Sequence, residues 1–288
     1  MVQYCMRVGT FMAMVAVAFW AMAQDSRTIR IDPAGENTQV FLSYLNATAE
    51  DSFAKMFEIP IYQDYRPYAL LLTNASGQAM VSVTIRWTGT SAEKSIIYDS
   101  SSGSLLNGAP GGAGSMTMLG PASRQAQVQL SGSYQSADGP VVLAAGERML
   151  VAPGLLVSES LAKQRGRAGG SASMPPALRS AESVSATLDA VVLEDGTVLG
   201  PDASHTVDGL LARKAAIDWV VRAVRVAEQN GMDGVEALRI LANAQPTRDQ
   251  GPEIRQQSSI ARMLMMSRQW KEQLAKMEAL QLPRFHRK

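Results

Sequence analysis

The spacing of apolar residues changes period near residue 200, and that switch limits the folds open to the chain. Upstream, short segments alternate apolar and polar residues; downstream, apolar residues recur at steps of three and four. "MVSVTIRW" (80–87) is the clearest upstream case. It sets Met80, Ser82, Thr84 and Arg86 on one face and Val81, Val83, Ile85 and Trp87 on the other, so one face is expected to be buried and one wet. "TIRI" (28–31), "YALLLTN" (68–74), "KSIIYDS" (94–100), "AQVQLSGS" (126–133) and "AGERMLVAP" (145–153) are further strand candidates. "NASGQ" after Leu72-Thr73 has the composition of a turn. Several short strands with turns between them predict an antiparallel β-sandwich over about 28–200.

The downstream part predicts a C-terminal helical segment over 203–284 with about three helices. The first is "VDGLLARKAAIDWVVRAVRVAEQN" (207–230), ending at Asn-Gly. The second is "GVEALRILANA" (234–244), started by Asp233 and stopped before Pro246. The third and longest spans 252–280, with Pro252 in its first turn and Pro283 past its end. On it Met263, Met266, Trp270, Leu274 and Met277 recur as one apolar stripe, while Arg268, Glu272 and Lys276 form i,i+4 pairs on the other side. The stripe is the candidate partner-binding face, because methionine adapts to varied partners; packing on the other two helices is the competing role.

Two stretches are too weakly patterned for core elements. Residues 101–123, rich in Gly and Ser, and residues 162–180, with added basic residues, are expected to be mobile surface loops. The glycines of the first lack a following Gly-Lys-Ser/Thr, so a phosphate loop is not indicated.

Residues 1–23 have the layout of a secretory signal peptide. Arg7 precedes the uncharged run "VGTFMAMVAVAFW", and Ala21 and Ala23 flank an A-x-A site before polar "QDSR". The expected location is secreted or periplasmic, with cleavage near Ala23. The alternative is a membrane anchor formed by an uncleaved N-terminal segment. No later segment is apolar enough to span a bilayer. Cys5, the only cysteine, lies in this leader, so the mature protein has no disulfide, Fe–S ligand or thiol nucleophile.

Composition narrows the function classes. A net charge of +1 gives no global field for nucleic acid or a membrane surface. Residues 24–202 carry 12 Lys and Arg against 17 Asp and Glu, whereas residues 203–288 carry 14 against 9. The two parts could attract each other, the helical tail could meet an acidic surface, or these charges could simply be solvated faces. His205 and His286 are the only histidines, which excludes a metal site with several imidazoles. A Ser-His-Asp triad would need His205, and no Gly-x-Ser-x-Gly elbow supplies its serine. Tyr62, Tyr65 and Tyr68 form either an aromatic patch for glycan or peptide, or core packing. The tail "PRFHRK" could touch acidic lipid or polymer, with a frayed, solvated terminus as the competing role. No catalytic, cofactor-binding or metal-binding residue emerges.

"TLDAVVLEDGTVLGPD" (187–202) packs a strand, a turn, a second strand and a helix start into sixteen residues. Asp195-Gly196 between apolar runs signals a type I′ hairpin turn. Asp202 or Ser204 can cap the following helix. Asp189 and Glu194 fall on opposite faces of a regular strand, so they do not form a converging carboxylate pair. Leu188-Asp189-Ala190-Val191-Val192, Asp195-Gly196 and Gly200-Pro201-Asp202, followed by a helix, resemble a pattern in uncharacterised exported bacterial proteins. Those proteins share the order signal peptide, β-sandwich, this hairpin, C-terminal helices. The resemblance implies that the hairpin closes the sandwich and that the sandwich is immunoglobulin-like, with Trp87 as its core tryptophan. It assigns no activity.

Three functions follow. The first is a non-catalytic binding or interaction module of the cell envelope or periplasm. The second is an envelope hydrolase whose carboxylates converge only in space. The third is a subunit of an envelope assembly, meeting a protein partner or itself through the C-terminal helices.

Overall fold

The computed structural model describes residues 29–33, 37–45, 52–91, 95–103, 114–119, 126–130, 142–159, 162, 174–244 and 252–287. Side chains are described at all of these except 61, 101–103, 114–119, 126–130 and 252–255. The expected signal peptide, Cys5 and residues 163–173 lie outside them.

Two sheets organise the chain. The larger runs β12 (His286–Arg287), β11 (Thr197–Leu199), β10 (Ser183–Leu193), β4 (Met80–Thr90), β5 (Ser95–Gly103), β6 (Gly114–Leu119), β7 (Ala126–Leu130), with β1 (Ile29–Ile31) beside the start of β10. Its pairings are antiparallel except β1–β10 and β11–β12. The smaller sheet is antiparallel throughout, in the order β2 (Val40–Tyr44), β3 (Leu70–Asn74), β8 (Arg148–Ala152), β9 (Leu155–Ser158). Both sheets feed one buried cluster: Val83, Ile85 and Trp87 from β4 and Leu188 from β10 join Leu70, Leu72 and Leu150. The Trp87 indole donates to Ser100 Oγ at 3.1 Å, so its one polar atom is satisfied inside that core.

Helices fill the rest. Short α1 (Ser52–Met56) and α2 (Pro60–Gln63) lie between β2 and β3, and α3 (Pro176–Arg179) precedes β10. The C-terminal segment holds α4 (Thr206–Gln229), α5 (Gly234–Asn243), α6 (Pro252–Met266) and α7 (Trp270–Glu278). Their second core unites Ile217, Val220 and Val224 of α4 with Leu238, Leu264, Leu274 and Met277. The chain is thus a mixed α/β structure with two antiparallel-rich sheets and added helices. Among the described residues no helix is long and apolar enough to cross a membrane.

The structure corrects several expectations. The expected third helix is two: it breaks at Ser267–Gln269, where Ser267 Oγ accepts the Gln269 amide at 3.2 Å. The break turns α7 back onto α4 and buries Leu274 and Met277. The second face of β4 is not wet: Ser82 and Thr84 are buried. Thr206, at the start of α4, shares a 2.8 Å hydroxyl contact with Thr84. Val207, Leu210 and Phe285 pack over Val81, Val192 and Val198. Residues 114–119, placed in a loop, form β6 between β5 and β7. In the second expected loop, α3 sends Leu178 into the core, where Gly89 of β4 leaves room for it. The tail is ordered as β12, with the His286 amide bonded to the Gly196 carbonyl at 3.1 Å.

The hairpin turn also differs from the expected type I′. Glycine alone has positive φ in it, at Gly196 (89°), and the Gly196 amide bonds to the Leu193 carbonyl at 3.0 Å. This is a type I turn followed by a left-handed glycine bulge, the geometry of a three-residue hairpin loop. A Cβ at Gly196 would collide with the Arg284 carbonyl of the overlying tail, so glycine is required there for contact as well as for φ.

Candidate functional site

The four acids of the hairpin region were the natural place to seek chemistry, and each has a defined partner. Asp189 is the extra residue of a β-bulge, between Leu188 opposite Ile85 and Ala190 opposite Thr84. The bulge re-aims its buried carboxylate at the start of α4. There it accepts the amides of Ala203 (2.8 Å) and Ser204 (2.9 Å), while its carbonyl accepts the Asp202 amide (2.7 Å). Asp202 in turn accepts the amide of Thr206, the first residue of α4, at 2.6 Å, while His205 holds the N-cap position with no side-chain hydrogen bond to the helix. The loop between them carries two left-handed residues other than glycine, Asp202 (φ 51°) and His205 (φ 56°). Such backbone persists only where surroundings over-determine it, and Asp189 supplies that constraint.

Asp195 and Glu194 serve the opposite end of the hairpin. Asp195 accepts the Thr197 amide (2.8 Å) and the Gln78 side-chain amide (3.0 Å); Glu194 accepts the Ala79 amide (3.4 Å). The Thr197 amide, followed by Gln78, holds the Asp195 carboxyl below its ordinary range. These contacts join the hairpin to the "NASGQ" turn, whose Asn74 is itself fully buried and bonded on both sides of its amide. Sequence reasoning found the turn but not that role.

The remaining candidates are dispersed. His205 is exposed beside Asp208 at 3.2 Å, and His286 Nε2 meets Thr197 Oγ1 at 3.0 Å. Among the described residues no cluster of three His, Cys, Asp or Glu is placed to hold a metal ion. Tyr62, Tyr65 and Tyr68 are all buried in the core, which decides for packing over an exposed aromatic patch. Burial, then the neighbouring Tyr98 phenol, pushes the Tyr65 hydroxyl up to about 12.

The methionine and tryptophan stripe is not one exposed face. Leu274 and Met277 are buried, Met263 and Trp270 are half-buried against the helical core, and Met266 is 72% exposed. The Trp270 ring sits against Gly234 at the start of α5, where any side chain would clash.

A different surface is exposed and apolar. Leu211, Trp219 and Val226 of α4 are 50%, 42% and 49% exposed. With Ala215 and Arg222 they lie on the side opposite Ile217, Val220, Val221 and Val224, at about 100° per residue. So α4 is apolar on two opposite faces, and its inner face alone is covered. Exposed tryptophan and leucine on one stripe mark an interaction surface better than scattered apolar residues do. The sequence signal was present: Leu211, Ala215, Trp219 and Val226 keep a helical period out of phase with the buried set.

Comparison with family models, curated proteins and solved structures gave no match.

The geometry therefore offers no convergent catalytic pair among the hairpin acids, since each is engaged by main-chain amides. It offers a long helix with an uncovered apolar face, anchored at its start to the larger sheet through Asp189, Asp202 and Thr84. That anchoring holds the face at a fixed angle to the sheets, as a binding surface requires.

Proposed function

We propose that the chain is an exported, non-catalytic interaction protein of the cell envelope or periplasm, whose working surface is the outer face of α4. The observation that carries this reading is the exposure of Leu211, Trp219 and Val226 on one stripe of that helix. Covering such a stripe releases water from apolar area, and a central tryptophan is a common anchor of protein interfaces. The leader with its A-x-A site supports export. The shared core of the two sheets, with Trp87 at its centre, supports an immunoglobulin-like β-sandwich as the scaffold. The resemblance to uncharacterised exported proteins agrees with both. The working surface is α4 rather than the stripe of Met263, Met266, Trp270, Leu274 and Met277, because half-burial or full burial already occupies four of those five.

A photo-crosslinking amino acid in place of Leu211, with Lys276 as the exposed control position, tests the reading in the exporting cell. A protein adduct at position 211 and none at 276 is the expected result. Equal labelling at both positions, or none at either, overturns it.

A further inference from the structure

We infer that the outer face of α4 docks a second copy of this chain, antiparallel, about a two-fold axis at the level of Val220. This rests on the reading of that face as the working surface. The argument is charge complementarity along the stripe. Asp218 lies on its edge and Arg222 within it, between Leu211 and Ala215, two residues below and two above Val220, about 3 Å of axial rise each way. An antiparallel copy turned about that level brings Arg222 of the second copy opposite Asp218, and Asp218 of the second copy opposite Arg222. One two-fold interface therefore forms two equivalent ion pairs, as an isologous contact must. Arg222 is exposed and has no ion pair of its own among the described residues. Asp218 is held by Lys214 of its own chain at 2.6 Å, which fixes the carboxylate on the edge of the stripe while leaving it acceptor capacity.

The apolar residues obey the same symmetry. Trp219 lies about one residue from the axis, so the two indoles meet across it. Val226 falls opposite Ala212 and Ala215 of the second copy, whose small side chains admit a close helix approach. Lys214, Asp218, Arg222 and Arg225 mix both signs along the stripe, and a second copy turned end for end offers each sign its opposite.

The test is the solution mass of the exported protein by light scattering, up to about 100 µM. A dimer is expected, and Trp219→Glu, on an exposed face, is expected to give a monomer that melts as the wild type does at concentrations where the wild type is itself dissociated. Asp218→Arg and Arg222→Asp are each expected to weaken the dimer by about tenfold or more, and the combined variant to restore it, because the reversed charges again meet their opposites. A monomer at all concentrations, or a combined variant weaker than either single one, overturns the inference. The Leu211 crosslink separates the two readings. An adduct of twice the chain mass supports self-docking. An adduct of another mass with a monomeric protein overturns self-docking alone, and no adduct overturns the working surface as well.

Discussion

Asp202 donates its amide to the Asp189 carbonyl at 2.7 Å, and the Asp189 carboxylate then takes the next two amides, those of Ala203 and Ser204. One bulged strand residue thus holds three consecutive donors of the loop that launches the longest helix. Asp189→Asn keeps the shape but turns an amide N–H₂ toward one of those donors. The expected loss is about 2 kcal/mol of folding stability, from one unpaired buried group. Urea unfolding measures it, and hydrogen exchange should speed first at Ala203 and Ser204. A carboxylate kept for chemistry behaves in the opposite way: its removal leaves stability unchanged or raised.

Asn74 makes the corresponding junction at the other end of the sheets. Its Nδ2 faces the carbonyls of Gln78 (2.8 Å), Leu143 (3.1 Å) and Ala144 (3.1 Å), and its Oδ1 accepts from Ser76. Asn74→Ala should cost about 3 kcal/mol by stranding those groups. Asn74→Asp is the sharper probe, because a carboxylate there meets three carbonyl oxygens. Its acid form is favoured, so its folded-state pKa is raised and its deficit relative to the wild type should grow from pH 4 to pH 7. A deficit independent of pH would show that the side chain rotates away from the carbonyls.

The period switch near residue 200 and the cap at Asp233 could be read because they depend on neighbours within a few residues; the N-cap of α4 is His205 rather than Asp202 or Ser204. What could not be read depends on distant chain. Ser82 and Thr84 look like a wet strand face until Thr206 and the tail cover them from more than a hundred residues away. The third helix kept an unbroken apolar period through Ser267–Gln269, so its break has no local signal beyond the serine; packing of Trp270 on Gly234 selects it. β6 is six residues with three apolar ones, Met116, Met118 and Leu119, in a Gly- and Ser-rich stretch, and pairing on both sides makes it a strand. The outer face of α4 was overlooked for another reason. A helix apolar on two sides shows weak overall amphipathicity, so the buried face is easily taken as its only one.

Tyr65 gives the protein an alkaline limit. Burial first, then Tyr98, raises its hydroxyl to about 12, while an unfolded tyrosine ionises near 10. The folded-state value is the higher one, so the associated stability is complete below pH 10 and is lost as pH rises toward 12. Across that window the loss amounts to about 2–3 kcal/mol. Tyr62 and Tyr98 are raised by burial too and act in the same direction. Urea unfolding of the wild type and Tyr65→Phe at pH 9 and pH 11 checks this. The variant should lose less stability between the two pH values; equal losses would mean that Tyr65 ionises freely in the folded protein.

Arg213 presents the reverse case, a charge whose removal should help. It lies on the inner side of α4 between Leu210 and Ile217, half-buried, and its Nε has no hydrogen-bond partner among the described residues. Burial pulls its guanidinium below the usual range. Stranding the Nε–H of a partly desolvated guanidinium costs free energy that a methionine of similar length does not incur. Arg213→Met should therefore raise folding stability by about 1 kcal/mol, read as a higher urea midpoint with an unchanged slope. Dimer formation through Trp219 should be unaffected, because Arg213 lies on the side of α4 away from Leu211 and Val226. A variant that loses stability would show that the terminal N–H groups and the aliphatic stem of Arg213 contribute more than the stranded Nε–H costs.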